Sequence, residues 1–500
     1  MNPTAVLCTL VATAGLLGAS AILTAGPLNP PAGAVSSTYK TLGEVEPRIA
    51  INAANTPGDN DATPSVFKIT TRGSYYMAGD VLGPINKIVI EVAASDVTID
   101  LCGFTVAGFG STAGVQVTLA SRTDITVRNG HIQGMSGPGV SFVAGGNVTR
   151  NSRAEDVSVF NCTGSGIEPG ENATVENCKV SNCGNGILAF RAAVVRGCTS
   201  RDNASSGIFV QEGTITDCSA TDNGTAGIFV SERATVRGCT AARNATAGIQ
   251  VANGSVVEGC SASNNTQSGI AATGNVSVIE CTATGNGVHG ISIANGSVQG
   301  CTASANTITG IVASGTGSVE GCTASANQGS GISTAGGTIV GCVASANVAT
   351  GLAASGGVVR DCEARSNFTG ISAGNGTTVT NCRAGSNGGT GIFVSSNCLI
   401  QGNLSTGNGT STTGIGIYVS GDANRVERNN VVGNNWGIDC DGAVNLIIGN
   451  SARANNFGNY DVFTGNRVGT IFVPPLSGDI SGNSGGAGMG TTDPWANIAF

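Results

Sequence analysis

The sequence predicts an all-β protein, a parallel β-helix or solenoid of about 20–21 residues per coil with a cap at each end. Two columns of residues predict this fold. A cysteine recurs every 20 or 21 residues from Cys178 to Cys382. Five residues after nearly every cysteine comes an Asn, from Asn203 to Asn387, and Gly-Ile or Gly-Leu follows three or four residues later. A fixed period of this length is typical of coils that pack only on their neighbours.

One coil is long enough for short strands only. Twenty residues are too few for a crossover helix, so each coil should hold two or three short strands joined by tight turns. Because side chains alternate along a strand, Val298 and Cys301 should point inward and Gln299 outward. In this interpretation Gly300 permits a bend, and Gly310 supplies a backbone angle that a larger residue would resist.

The two columns are predicted to be structural. Stacked residues on adjacent parallel strands lie ~4.8 Å apart with parallel Cβ vectors, whereas a disulfide requires vectors that turn toward each other. We therefore interpret the cysteines as buried free thiols that pack as small apolar side chains. They lack the paired short spacing of zinc sites. The Asn column should stack at a turn, with its amides bonded to one another and to the backbone.

The domain boundaries follow from where this rhythm begins and ends. Residues 1–25 are uncharged and largely apolar, which predicts a signal peptide or, because the run is long enough, a membrane anchor. Residues 26–39 predict a flexible spacer, residues 40–88 an N-terminal cap, residues 89–465 the β-helix and residues 466–500 a C-terminal capping tail. We therefore expect a secreted, periplasmic or cell-surface protein.

Composition limits the expected partners. The 500 residues include 78 Gly, only 11% are charged, and the net charge is −8. Lys and Arg form no cluster, so nucleic acid is not an expected partner. No stretch after the N-terminal run is apolar and long enough to span a bilayer. The expected state is a monomer without a required cofactor.

Several segments resemble a known family. They are Val97–Phe104, Ile125–Gly130 and the Asn-x-x-x-Gly-Ile coils between residues 203 and 392. They resemble secreted right-handed parallel β-helix repeat proteins of the pectin-lyase-like superfold. Tyr75-Tyr76 and Asp493–Asn497 are similar to segments of an uncharacterised bacterial exported group.

The resemblance implies right-handed winding over nearly all of residues 40–500 and leaves the function open, because the superfold hosts lyases, hydrolases, adhesins and non-catalytic proteins. Pectin-degrading relatives carry clustered Asp residues beside Arg, Lys or His. Polygalacturonase-like members show Asn-Thr-Asp, Asp-Asp and Gly-His-Gly segments, and none of these occurs here. His131 and His289 are interpreted as turn residues.

The best local candidate for chemistry is the segment Trp436–Asp441. Alternation places Asp439 and Asp441 outward on one face, where two carboxylates could hold Ca²⁺ or divide acid and base roles. Tyr418 should lie one coil below Asp439, and Arg425 is near in sequence. The alternative interpretation is a solvated strand face followed by an Asp-Gly turn.

Aromatic side chains form a second candidate site. Phe209 and Phe229 should be neighbours on adjacent coils, as should Phe393 and Tyr418, and Trp436 lies on the next coil. Exposed paired rings suit a sugar face or a protein partner, and cover by another part of the chain is the alternative. A separate Ser/Thr array follows the cysteines, and we interpret it as tolerated exposed strand residues rather than an ice-binding surface.

Three functions remain open at this stage. The uniformly short coils and missing lyase motifs favour an exported non-catalytic β-helix that binds envelope or extracellular carbohydrate, or acts as a surface interaction rod. The second is a polysaccharide lyase or glycoside hydrolase that uses the face of Asp439 and Asp441. The third is a structural spacer or adhesin of about 18 coils and ~85 Å.

Overall fold

The structure is a computed structural model that describes residues 48–144, 147–409, 414–473 and 493–500. The predicted signal peptide or anchor, the spacer, the first residues of the predicted N-terminal cap and much of the C-terminal tail lie outside the described residues. The described chain is an all-β parallel solenoid of about nineteen coils. It contains no helix in this part, and so no helix there that could cross a membrane.

Each coil contributes up to three strands, and matching strands of successive coils pair in parallel to form three long faces. Face A contains the Ile-x-Val strand that follows the Asn column. Its strands are Ser65–Ile69, Ile88–Val92, Ala113–Val117, Val140–Ser141, Ile167–Glu168, Ile187–Ala189, Ile208–Val210, Ile228–Val230, Ile249–Val251, Ile270–Ile279, Ile291–Gln299, Ile311–Ala313, Ile332–Ala335, Thr350–Ser355, Thr369–Ala373, Ile392–Val394, Ile415–Val419, Trp436–Cys440 and Gly458–Val462.

Face B precedes the cysteine of each coil. Ile270–Ile279 and Ile291–Gln299 are long enough to continue from face A into face B. The other face B strands are Ile49–Ala50, Gly73–Tyr76, Val97–Asp100, Ile125–Met135, Arg153–Phe160, Thr174–Glu176, Ala193–Arg196, Gly213–Thr216, Ala234–Arg237, Val256–Glu258, Ser318–Glu320, Thr338–Val340, Val358–Arg360, Thr378–Thr380, Leu399–Gln401, Arg425–Glu427, Leu446–Ile448 and Arg467–Val468.

Face C follows the cysteine, and Ile125–Met135 and Arg153–Phe160 continue into it from face B. A hairpin of Val143–Ala144 and Asn147–Val148 is antiparallel, and Ile471–Phe472 pairs with the last strand. The other face C strands are Val81–Gly83, Thr105–Ser111, Lys179–Ser181, Thr199–Arg201, Ser219–Thr221, Thr240–Ala242, Ser261–Ser263, Thr282–Thr284, Thr302–Ser304, Thr323–Ser325, Val343–Ser345, Glu363–Arg365, Arg383–Gly385, Leu404–Thr406, Asn430–Val432, Ser451–Arg453 and Asn497–Ala499.

The interior is a stack of small and β-branched side chains. Val298, Cys301 and Ile311 are buried and Gln299 is exposed, which confirms the alternation predicted from the sequence. Because each coil buries the inner faces of its neighbours, one continuous core runs the length of the described solenoid. The outward columns are therefore fixed in register from coil to coil.

The cysteine column lies at the turn between faces B and C. Its thiols are free and buried, as predicted. They are also hydrogen-bonded, which the sequence interpretation as small apolar side chains missed. The N–H of Cys281 donates to Cys301 Sγ at 3.3 Å, and that thiol lies 3.3 Å from the carbonyl of Gln299. After Cys382 the column continues with Asn403, whose Oδ1 accepts from the Cys382 N–H at 2.9 Å. Beyond Cys382, carboxamides thus take over the structural role of the thiols.

The Asn column forms the predicted ladder at the turn between faces C and A. Both the backbone N–H and the Nδ2 of Asn286 donate to Asn306 Oδ1, at 3.0 Å each. Asn306 repeats this pattern with Asn327 and also donates to the carbonyl of Ala283 at 3.1 Å. These buried amides leave no unpaired group at the turn, so they add hydrogen bonds between coils where the strands are interrupted.

The glycine before each Ile corrects one prediction. Gly300 has a φ of +61°, as a bend requires, but Gly310 lies outside the left-handed region that favours glycine. A Cβ at Gly310 would lie 2.7 Å from Asn327 Nδ2 and 2.7 Å from the carbonyl oxygen of Gly331. Close approach to the Asn ladder, rather than a special backbone angle, therefore excludes a side chain here.

Candidate functional site

Face A carries one outward column along the whole solenoid, formed by the middle residue of each Ile-x-Val strand. Parallel pairing aligns Phe209 with Phe229 and, eight coils beyond Phe229, aligns Phe393 with Tyr418 and Tyr418 with Asp439. The structure therefore brings most of the predicted ligand-binding residues onto a single face. They form two separate groups on it.

The Tyr418 patch consists of Phe393, Tyr418, Asp439, Asp441 and Asp461. The rings of Phe393 and Tyr418 meet edge to face, with centroids 5.7 Å apart and an interplanar angle of 62°. The hydroxyl of Tyr418 donates to Asp441 Oδ2 at 2.8 Å. This hydrogen bond to a carboxylate, aided by burial, raises the pKa of Tyr418 to about 12. The phenol is thus held in place as a neutral donor beside an exposed acid.

Asp439 is the half-buried member of this patch. Burial raises its pKa to about 6, and the negative charges of Asp441 and Asp461 act in the same direction. Asp461 pairs in register with Asp439 on the next coil, and the sequence analysis missed it. The coil that carries Asp461 reads Asn459-Tyr460 where the repeat has Gly-Ile, so the aligning motif was lost. Alignment of the coils on the outward strand residue, which places Asp461 directly above Asp439, would have identified it.

Trp436 does not join the Tyr418 ring. It lies on the strand of Asp439, and its ring packs on Phe457 with centroids 5.8 Å apart and an interplanar angle of 42°. A side chain at Gly458 would collide with the Trp436 ring, so that glycine makes room for it. Phe457 is 59% exposed, and the two rings therefore present a second aromatic surface beside the patch.

Arg425 is a correction to the predicted surroundings of Asp439. It lies on face B, and its Nε donates to Glu427 Oε2 at 2.6 Å. Ten residues lie between Arg425 and Trp436 in the chain, but they include the face C strand Asn430–Val432 and two turns, so the two residues lie on different faces. The guanidinium is therefore committed to Glu427, and the acids of the Tyr418 patch influence one another instead.

The Phe229 patch consists of Phe209, Phe229, Gln211 and Glu232. The two rings are 5.2 Å apart between centroids with an interplanar angle of 46°. The turn beside them is polar, because Gln211 Nε2 donates to Glu232 Oε1 at 2.9 Å. Arg191 pairs with the same carboxylate at 3.6 Å. The patch combines half-exposed rings with hydrogen-bonding groups along one border.

Metal binding at the predicted acids stays a prediction. No group of three or more His, Cys, Asp or Glu side chains is arranged to hold a metal ion within the described ranges. Asp439 and Asp441 offer carboxylate oxygens of the kind that Ca²⁺ prefers. Any calcium at this patch would need further ligands from solvent or from a bound molecule.

The remaining predicted residues lie elsewhere. His131 lies within a strand of face C, paired with Ser158, and not at a turn as the sequence analysis expected. His289 is outside the strands, and its Nδ1 accepts from the Thr309 N–H at 3.3 Å. The Ser/Thr array is in register on face C, from Ser219 through Thr323. None of these positions adjoins the acids of the Tyr418 patch in the register of face A.

The comparisons with known proteins agree with this architecture. The family model for the right-handed β-helix region matches residues 113–256, 214–320 and 254–382, which together span more than half of the chain. The chain therefore belongs to the right-handed β-helix family. No curated protein matches it.

Solved structures show only a distant likeness. The A-module of mannuronan C-5 epimerase AlgE4 from Azotobacter vinelandii is 15% identical, with 75% of this chain and 90% of that chain covered and a TM-score of 0.28. The Dettilon tailspike protein is 13% identical, with 73% and 69% covered and a TM-score of 0.24. The periplasmic alginate epimerase AlgG is 11% identical, with 87% and 83% covered and a TM-score of 0.21.

Proposed function

We propose that this protein is an exported, non-catalytic β-helix that binds envelope or extracellular carbohydrate at the Tyr418 patch. The observation that carries the proposal is the register of Phe393, Tyr418 and Asp439 on one exposed face. Aromatic rings offer an apolar surface to the C–H groups of a sugar, and carboxylates accept hydrogen bonds from its hydroxyls. The apolar N-terminal run supports export.

The open geometry favours binding over turnover. Among the described residues around the patch the connections between strands are short, so these residues supply no long loop to enclose a substrate and exclude water. A monomeric rod that displays such a patch suits a polysaccharide or cell-envelope surface. The proposal names a class of ligand and not a single sugar, because every sugar presents C–H faces and hydroxyls.

A glycan array tests the proposal. The array is run with and without Ca²⁺, since Asp439 and Asp441 offer oxygen ligands. We expect binding by the natural chain and at least about a tenfold loss in the double variant Phe393→Ala/Tyr418→Ala, because one stacked ring contributes about 1 kcal/mol or more. The matched control is Phe368→Ala, which removes a 63% exposed ring outside the patch.

Equal binding by the patch variant and the control would contradict the proposed site. A complete lack of binding to any glycan would contradict the proposed function and favour the spacer or adhesin rod. Calcium-dependent binding that Asp439→Asn abolishes would assign the metal to the patch. Binding that does not depend on calcium would show that the patch needs no metal to bind the glycan.

A second candidate function is a polysaccharide lyase or glycoside hydrolase centred on Asp439. The specific observation that favours it is the pKa of about 6, which keeps this carboxyl available as a proton donor in mildly acidic solution. Asp441 and Asp461 then supply the second carboxylate that glycoside hydrolysis requires. Release of new reducing ends from a bound polysaccharide, lost in Asp439→Asn, would establish this function. No release would leave the binding function.

A further inference from the structure

The two aromatic patches lie on the same line of face A. Parallel pairing runs without interruption between them, so the outward side chains form one column. From Phe229 to Phe393 the column reads Phe229, Gln250, Ala271, Ser292, Val312, Ser333, Ala353, Ser372 and Phe393. Eight coils separate the two rings, or ~38 Å at the ~4.8 Å spacing of paired strands.

The outward side chains between the two patches are small. After Gln250, no side chain in this column is larger than valine until Phe393. The strands that carry the column are three to ten residues long and continue from coil to coil. A chain laid along the solenoid axis would therefore meet a flat, small-side-chain path with an aromatic pair at each end.

The two patches also share a layout. In each, an aromatic pair stands in the column, and a polar residue begins the turn that follows the strand. Gln211 follows the buried Val210 at one patch, and Asp441 follows the buried Cys440 at the other. Gln211 is bonded to Glu232, and Asp441 accepts from Tyr418. The same kind of contact is thus offered twice, on the same side of the path.

We propose that one extended, uncharged polysaccharide chain lies along face A and contacts both patches at once. This inference rests on the proposed carbohydrate-binding function and specifies its ligand. An uncharged chain is favoured because Asp439, Asp441 and Asp461 stand at one patch, where a uronate would meet like charge. An extended polypeptide is disfavoured because peptides add to open sheet edges, whereas these strands are paired on both sides.

Bivalent contact makes affinity depend on chain length. Once one patch is occupied, the other meets the same chain at a high effective concentration, and the gain reaches about 10²-fold or more for a chain that spans both. A short oligosaccharide contacts only one patch, so the second patch does not increase its affinity. Length dependence therefore separates one chain on two patches from two independent sites.

The test uses titration calorimetry on the full-length protein. The probes are a mixed-linkage β-glucan, a β-mannan and a dextran, each as a short fraction and as a fraction longer than about 40 Å when extended. Alginate of the same two sizes is the charged comparison. The variants are Phe209→Ala/Phe229→Ala at one patch and Phe393→Ala/Tyr418→Ala at the other, with Phe368→Ala as the control.

We expect the long fraction of at least one neutral glycan to bind about 10²-fold more tightly than its short fraction. Either patch variant should reduce the long fraction to the affinity of the short one, while the control leaves the gain intact. Equal affinity of short and long fractions would overturn the inference and leave the proposed function standing. Tighter binding of alginate would overturn the uncharged ligand, and no binding by any probe would overturn both proposals.

Discussion

At the scale of single residues, the Tyr418 patch is a place where like charges are kept close. Asp439 is pushed toward its protonated form by burial, by Asp441 beside it and by Asp461 on the next coil. Here the Tyr418 hydroxyl donates a hydrogen bond to Asp441, and the unfavourable charge repulsion remains at Asp439. A ligand that donates hydrogen bonds to Asp439 would therefore relieve a cost that already exists in the free protein.

This charge arrangement predicts a pH dependence of stability. The pKa of Asp439 is about 6 in the folded chain against an ordinary value of 3.8, so the folded chain binds more protons than the unfolded chain between these values. Stability should therefore decrease as pH rises from about 4 to about 6 and level off above. Asp439→Asn should remove part of this decrease. The Tm of the variant minus the Tm of the natural chain should therefore be about 1–2 °C larger at pH 7 than at pH 4.

Calorimetric scans of the natural chain and Asp439→Asn at several pH values measure this difference. Ser333→Ala, an uncharged change in the same column, is the control and should follow the natural chain. Identical pH profiles for Asp439→Asn and the natural chain would show that the carboxyl titrates normally.

At the scale of elements, the turn between faces B and C accepts two chemistries in one column. Cys382 and Asn403 occupy successive positions, and each donates to a backbone carbonyl of the coil below, while Asn403 also accepts the backbone N–H of Cys382. The thiol does this weakly, with Cys382 Sγ 3.6 Å from the carbonyl of Val359. The carboxamide does it at 3.0 Å from the carbonyl of Val379. The column is thus one ladder in which sulfur substitutes for an amide.

A pair of substitutions tests this equivalence. Cys382→Asn should keep stability within about 1 kcal/mol of the natural chain, because the new carboxamide would meet the equivalents, one coil lower, of the partners of Asn403. Cys382→Ala should cost about 1–2 kcal/mol, since it leaves a small void and an unmet carbonyl. Urea denaturation of the two variants measures the difference. Equal loss in both would show that only packing matters at this turn.

The sequence predicted the elements better than the contacts between them. Alternation correctly placed Val298 and Cys301 inside, because a side-chain period of two follows from strand geometry alone. The role of Gly310 was misassigned, because its reason lies in the amide of Asn327 on the next coil. At the site, the column of Phe393, Tyr418 and Asp439 was predicted from aligned motifs, whereas Arg425 was misplaced and Asp461 was missed. The position of Arg425 depends on where the chain turns, which the local pattern does not encode, whereas Asp461 lies in a coil where Asn459-Tyr460 replaces the Gly-Ile motif.

At the scale of the whole molecule, the solenoid has about nineteen coils and is ~90 Å long at strand spacing. Each coil touches only its neighbours, so length is set by the number of repeats and not by one central core. The two aromatic patches therefore keep a fixed separation. Residues far apart in the sequence remain on one line because the strands of every coil between them pair in register with the next coil.

Removal of one whole coil tests this modular construction. Deletion of residues 291–310 joins Gly290 to Ile311, which restores the Gly-Ile junction and both ladders. We expect parallel β structure by circular dichroism and a Tm within about 3 °C of the natural chain, because one repeat and one interface are lost together. Deletion of residues 291–300 alone should prevent folding, since it removes strands without closing the coil. Comparable folding of both deletions would contradict a fixed coil circumference.

The buried thiol ladder also sets a condition on how the chain is made. In an oxidising compartment an exposed cysteine is open to exchange until something covers it. Each ladder thiol, such as Cys301, is shielded by the coils on both sides and so becomes inert only when its upper neighbour has stacked. In an oxidising compartment, each new coil would have to stack before the thiol below it is oxidised. In such a compartment a chain that pauses halfway would leave its newest thiol exposed to oxidation, so rapid winding from one end to the other would protect the ladder.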